Sequence, residues 1–275
     1  MLKNKIYILI LLVTVGVSSC SEYQKVLNKG KAEEQYALAS KLYESQKYNK
    51  AIQLFEKITP IYRGKPQMER IQFMVAQSHY NTKQYTLAAY YFDKFVKNYP
   101  KSSKLEESAY LSAHSYFLAS PVFSLDQKDT KEAITALQNF LYKYPESDKV
   151  AEANENIKEL TKKLEKKSFE IAKQYYHTED YIAAIAAFDN LLGDFLGTSY
   201  KEEAMYLKFK SAYNLAVNSY IFKKEVRLNN AIKIHERFKR SFSKSAYLSE
   251  TEELLQNLNN ELNSLIALKT ETNGL

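Results

Sequence analysis

Lys83 to Pro100 reads KQYTLAAYYFDKFVKNYP, and its Tyr85, Ala88, Phe92, Phe95 and Pro100 set a spacing that recurs along the chain. The same frame returns upstream as Tyr48, Ala51, Phe55 and Ile58. Downstream it returns as Thr130, Ala133, Leu137, Phe140 and Pro145, then as Tyr181, Ala184, Phe188 and Leu191, and more weakly as Leu228, Ala231, His235 and Phe238. In a helix, residues four apart share a face. A small Ala followed four positions later by a large residue therefore describes a helix that lets a neighbour approach closely and fills the gap beside it. The frame speaks of packing and carries no chemistry.

The segment before each copy repeats as well. Tyr36, Phe73 and Tyr110 are 37 positions apart, with Ala39, Ala76 and Ala113, and then Tyr43, Tyr80 and Phe117, in the same register. Self-similarity at this period, with no alternating strand pattern between copies, predicts a tetratricopeptide-type α-solenoid. The expected fold class is all-α, with about five helix-turn-helix repeats and a C-terminal capping helix.

Residues 1–19 carry Lys3 and Lys5, then an apolar run from Ile6 to Val13, then small residues, the layout of a secretory signal peptide. The apolar run is too short to span a bilayer core of about 30 Å. Val17, Ser18, Ser19 and Cys20 resemble the lipobox of bacterial lipoproteins, so Cys20 is the expected acylated residue. It is the only Cys in 275 residues, which excludes an intramolecular disulfide. Several acyl chains bury enough methylenes to anchor a soluble domain. Removing the leader's two lysines lowers the net charge from +7 to +5. In an envelope lipoprotein that excess argues for acidic protein or membrane surfaces and against nucleic acid. Residues 20–31, short and polar, read as the lipidated Cys and its tether.

From Ala32 onward the glycines are Gly64, Gly193, Gly197 and Gly274. Pro60, Pro66, Pro100, Pro121 and Pro145 are expected where helices stop. Ser103 with Glu106, Asp129 with Glu132, and Ser199 with Glu202 have capping-box spacing. About ten helices follow. Two places break the period. Eight extra residues, SPVFSLDQ, loop out within repeat three. The 36 positions from Pro145 to Tyr181, with no Gly or Pro between, predict one long helix bearing the charged run KELTKKLEKK. The expected divisions are 32–145 for repeats one to three, and 146–275 for the long connecting helix, repeats four and five and a cap carrying Leu254, Leu255, Leu258, Leu262 and Leu265.

With lipobox, repeats, loop and long helix in this order, the chain resembles the BamD family of outer-membrane assembly lipoproteins. KLYESQKYNKAIQLFEKI, SLDQKDTKEAITALQNFLYKYPES and SFEIAKQYYHTEDYIAAIAAFDNLL carry the resemblance, over roughly Glu34 to Ala216. The stretch after Tyr220 is long, basic and departs from the family pattern. The resemblance implies a non-catalytic subunit of the machinery that inserts β-barrel proteins into the outer membrane. It further implies lipid anchoring there with the domain facing the periplasm. Its implied partners are the barrel subunit, held through that subunit's periplasmic domains by the C-terminal repeats, and the C-terminal segments of unfolded barrel substrates, held by the N-terminal repeats.

No catalytic constellation is legible. Gly64 stands alone, so there is no phosphate-binding loop, and His79, His114, His177 and His235 lack metal-ligand spacing. No cofactor or metal is expected. What rises above background is aromatic. Tyr36 with Tyr43, Phe73 with Tyr80, Tyr110 with Phe117, and Phe169 with Tyr176 are seven apart, two helical turns, so each pair lies on one face. Such a stripe is either inter-helix packing or, where Tyr hydroxyls seek water, the edge of an amphipathic groove. The candidate peptide-binding face is Tyr36, Tyr43, Phe73, Gln77, Tyr80, Asn81, Tyr110 and His114. Two other functions compete with barrel assembly. One is a periplasmic scaffold lipoprotein for cell-envelope or peptidoglycan enzymes. The other is a glycan-binding lipoprotein, which the short insertion and the lack of Trp disfavour.

Overall fold

The computed structural model describes residues 22–273, and every regular element among them is an α-helix. A helix over residues 22–29, α1, precedes α2 (Ala32–Glu44), α3 (Tyr48–Tyr62), α4 (Gln67–Asn81), α5 (Tyr85–Asn98), α6 (Leu105–Ala119) and α7 (Lys128–Lys143). Then come α8 (Val150–His177), α9 (Tyr181–Asp194), α10 (Lys201–Val217), α11 (Ile221–Ser241) and α12 (Leu248–Asn273). From α2 onward they pair as five helix-turn-helix repeats, the α8–α9 pair through Phe169 and Ala172 against Ala184 and Phe188, and α12 packs on α10 and α11 as a terminal cap. The fold is the all-α tetratricopeptide-type solenoid. The leader and Cys20 lie outside the described residues.

The frame of the second helices is the core. Ala51, Phe55, Ile58, Ala88, Phe92, Phe95, Ala184, Phe188 and Leu191 are all fully buried, as are Ala133 and Leu137. Each large side chain removed from water in this way stabilises the fold by roughly 1.5–3 kcal/mol. In repeat five the large position holds His235, itself buried.

Two compact units divide the chain inside α8. The first takes the described residues to Pro121 together with Asp126–Leu160, and the second takes Val122–Leu125 and the residues from Thr161. The 28-residue α8 serves each in turn. In the first unit its Ala153 and Leu160 pack with Ala113, Leu137 and Phe140. In the second its Phe169 and Ala172 pack with Ala184, Phe188 and Leu191. SPVFSLDQ is the non-helical connection between α6 and α7.

Four expectations give way. Residues 20–31 do not read as a plain tether, because α1 begins at residue 22 and is docked on repeat one. The buried Gln35 amide donates to the Val26 and Leu27 carbonyls at 3.0 Å each, and the Tyr23 hydroxyl donates to Gln53 Oε1 at 2.7 Å. Pro60 lies inside α3, so the loss of its backbone donor is confined to the helix's last turn. Among the described residues the helices number twelve, where about ten were expected. The three capping boxes are not formed either, since α6, α7 and α10 are capped at Lys104, Gln127 and Tyr200 without side-chain caps.

A different device starts the first helices. Tyr99, Tyr144, Phe195 and Phe242 end α5, α7, α9 and α11, each donating its N–H to the carbonyl four residues back. Three residues on, Ser102, Ser147, Thr198 and Ser245 donate to the carbonyls of those aromatic residues. Their hydroxyl oxygens in turn accept the N–H of Lys104, Lys149, Tyr200 and Tyr247 at 3.0–3.2 Å. A hydroxyl that can bond its own backbone two residues on fixes a turn before the next helix begins. Within repeats one, two and four the turn between helices instead places Gln46, Lys83 and Glu179 at φ near +60°. Lys47, Gln84 and Asp180 then donate back to the carbonyls of Leu42, His79 and Tyr175. That pattern closes a helix C-terminus and is normally met with glycine.

Candidate functional site

The candidate face lies in the first unit, on α2, α4 and α6, the first helices of repeats one to three. In each of these helices the first ring of the aromatic pair faces its own repeat. Tyr36 lies edge-on to Phe55 and tilted against Tyr62, and Phe73 is edge-on to Phe92 and Phe95 at 6.2 and 5.7 Å. Tyr110, buried, meets Phe140 at 5.4 Å. Geometry of this kind adds a directional preference to area burial. These first rings are part of the packing between helices.

Phe73 and Tyr110 are also covered from above by the connector. Lys104 Nζ lies over the Phe73 ring and Lys149 Nζ over the Tyr110 ring, both at 5.4 Å. In the second unit the same connector position is aromatic, and Tyr200 stacks on Phe169 at 4.5 Å while Tyr247 stacks on Tyr206 at 4.0 Å. A cation or a second π-face is the natural partner for an aromatic face. The sequence carries a signal for this cover, since YPKSSK, YPESDK, FLGTSY and FSKSAY end on the covering residue each time.

The second rings of the pairs behave differently. Tyr43 and Tyr80 are half-buried and reach across to the next repeat's first helix. The Tyr43 hydroxyl donates to Gln77 Oε1, and the Tyr80 hydroxyl pairs with His114 Nδ1 at 2.8 Å. Each also packs edge-on against the first residue of its own second helix, Tyr43 on Tyr48 and Tyr80 on Tyr85. His114 is stacked between Tyr110 and Phe117 at 5.5 and 5.6 Å. Tyr43, Gln77, Tyr80, His114 and Tyr110 are thus brought together as a continuous polar-tipped row, with Asn81 exposed at the end of α4. Tyr36 and Phe73 stand apart from it in their own repeats' packing.

Electrostatics follow from burial. Removal from water pushes the Tyr43 hydroxyl up to about 12, with Tyr48 and Glu107 adding to it. The Tyr110 hydroxyl is pushed up by burial and by the neighbouring Glu152 carboxylate. Glu152 is held below the usual carboxylate value by the Tyr110 hydroxyl first and by Lys149 next. Burial lowers His114, which favours its neutral form. A face of neutral rings, amide and imidazole can exchange hydrogen bonds with a peptide backbone and shelter an apolar side chain.

No group of His, Asp or Glu suited to holding a metal occurs among the described residues, and none of their helices is long and apolar enough to cross a membrane. His79 and His235, which lack metal-ligand spacing, are buried among aromatic neighbours. His79 stacks on Tyr91 at 4.9 Å, and His235 meets Phe209 at 5.0 Å.

No curated protein matches the chain. Among solved structures, the TPR2AB domain of yeast Sti1 in a complex with pHSP90 is similar at 16% identity and a TM-score of 0.38, over 87% of this chain and 95% of that one. A putative kinesin light chain with TPR-like repeats from Podosopora anserina is similar at 13% identity and a TM-score of 0.31, over 86% and 95%. The family model YfiO, described as outer membrane lipoprotein, matches residues 28–228, which is most of the chain, and the chain therefore belongs to the YfiO outer membrane lipoprotein family.

Proposed function

We propose that this chain is a lipid-anchored, periplasm-facing subunit of the β-barrel assembly machinery, acylated at Cys20. It works by binding alone, without catalysis or cofactor. Its N-terminal repeats hold the C-terminal segment of an unfolded outer-membrane protein, and its C-terminal repeats hold the periplasmic domains of the barrel subunit. The observation that carries the substrate half of this reading is the row Tyr43, Gln77, Tyr80 and His114, in a chain of an outer membrane lipoprotein family. An extended peptide needs its backbone groups bonded and its terminal aromatic out of water, and an amide-and-phenol row beside half-buried rings supplies both.

Two experiments test it. Capture of the full chain from membranes in mild detergent, followed by mass spectrometry, is expected to recover a barrel protein with repeated periplasmic domains. Recovery of peptidoglycan enzymes in its place overturns the assignment and returns the scaffold reading. A synthetic C-terminal barrel peptide is expected to bind wild type and to lose about tenfold in affinity on Gln77→Ala with Tyr80→Phe, a loss of roughly 1.4 kcal/mol. Unchanged binding by that folded variant removes the peptide from this face.

A further inference from the structure

The turn from α10 to α11 in the second unit carries an exposed apolar cluster. Tyr220, Ile221, Phe222 and Val226 are 79, 63, 76 and 74% exposed, four large apolar side chains within seven residues. Tyr220 and Phe222 stack on each other, 4° from parallel at 6.0 Å, so the two rings form one exposed slab. Scattered surface hydrophobes are ordinary, whereas a contiguous cluster rimmed by polar groups marks a surface meant to be covered.

The charges around it say by what. Lys224 is paired with Glu261, and Glu225 with Lys269, so those pairs cancel. Lys223 and Arg227 form no ion pair among the described residues. Lys223 Nζ sits 5.9 Å from the Phe222 ring, and the Arg227 guanidinium donates to Ser219 Oγ at 2.7 Å. The cluster is therefore apolar at its crest and cationic at its base, with no uncompensated carboxylate. Rings and branched aliphatics backed by Lys and Arg make up the amphipathic surface that lies in a bilayer interface, where the rings enter the acyl boundary and the cations meet anionic headgroups. The family is one of membrane-attached proteins, and no described helix can span a bilayer.

We propose that the Tyr220–Phe222 turn is an interfacial membrane contact. It inserts its rings and Ile221 shallowly into an anionic lipid surface, with Lys223 and Arg227 at headgroup level.

The chain contains no Trp, so Phe222→Trp introduces a single reporter at the crest. The full-length variant is reconstituted into vesicles of phosphatidylethanolamine and phosphatidylglycerol carrying brominated acyl chains. Its emission is expected to shift to shorter wavelengths and to be quenched by the bromines. The quenching should weaken when phosphatidylglycerol is omitted, at high salt, or when Lys223→Glu and Arg227→Glu are added. Ile221→Asp with Tyr220→Ser, both at exposed positions, is expected to reduce partition of the turn by about tenfold or more. Helicity by circular dichroism verifies that each variant is folded. Solvent-like, unquenched emission in every vesicle overturns the proposal. So does an apolar shift that appears only when other envelope proteins are added and that bromolipid does not quench, since a protein then covers the turn.

Discussion

The Tyr80 hydroxyl lies 2.8 Å from His114 Nδ1, bridging α4 and α6 across 34 residues, the same step by which Tyr43 in α2 reaches Gln77 in α4. Three successive repeats are thus joined by two equivalent side-chain bonds, beyond the apolar contacts of their cores. Tyr80→Phe keeps the ring and leaves a half-buried imidazole nitrogen without its partner, so it is expected to cost about 1–2 kcal/mol. Tyr80→Phe with His114→Phe removes both polar groups and is expected to cost less than the two single changes together. Urea unfolding of the three variants measures the difference.

Acid is expected to weaken the fold in two stages. His114 and His235 are both lowered from 6.5 by burial. Their neutral forms are favoured in the folded chain, and the unfolded chain takes up the protons first. Stability from this source is complete above about pH 6.5 and is lost as the pH falls from there through the folded values. Glu152, Glu250 and Glu252 are lowered from 4.5, chiefly by bonds from Tyr110, Tyr206 and Lys239 respectively. Their contribution is present above about 4.5 and is lost as the pH falls through their folded values. A pH series of denaturation midpoints is expected to lose its upper stage in His114→Gln with His235→Asn and to keep the lower one.

Lys83 holds φ at +60° in the turn between α4 and α5. A side chain in that region costs roughly 1–2 kcal/mol, and a β-branched one more. Lys83→Gly is expected to be neutral or to stabilise slightly, its gain in the folded state offset by the freer unfolded chain. Lys83→Val is expected to destabilise by at least about 1 kcal/mol. Thermal unfolding of the pair reads both signs.

Gly30 joins α1 to α2, and its amide donates to the Val26 carbonyl at 2.9 Å. A Cβ built there meets that same carbonyl oxygen at 2.6 Å, so the helix end leaves no room for a side chain. Gly30→Ala is expected to release α1 while leaving repeats two to five intact. Hydrogen exchange is expected to show fast amides confined to residues 22–29 and to the Gln35 region they cover.

The repeats were legible because burial writes itself twice, as a small Ala and as a large residue four positions on. Ala88 with Phe92 and Ala184 with Phe188 are at zero exposure for that reason. The long α8 was legible because no Gly or Pro interrupts it. Helix starts were less legible, because Ser103, Asp129 and Ser199 stand before Glu at capping-box spacing yet none of them caps its helix. The chain instead uses hydroxyls one register earlier, at Ser102 and Thr198, to build the turn itself. At the candidate face the seven-residue spacing placed both rings of each pair on one side of a helix. It did not separate Phe73 and Tyr110, capped by Lys104 and Lys149, from Tyr43 and Tyr80, which reach the next repeat. That distinction depends on which connector residue folds back over which ring, and it becomes visible only when the connectors are aligned with each other. Residues 22–29 were hidden because α1 is too short to show a period, and a buried Gln from the next helix secures it.

The docking of α1 has a mechanical consequence. With Cys20 acylated as proposed, only Ser21 stands between the lipidated residue and the start of a fixed helix. At about 3.3–3.6 Å per residue, such a link reaches roughly 7 Å. Repeat one is then moored on a short line, and thermal motion can swing it about the attachment point without carrying it far from the lipid. Lengthening that line, by inserting flexible residues after Ser21, changes the height at which the first repeat works while leaving every contact within it untouched.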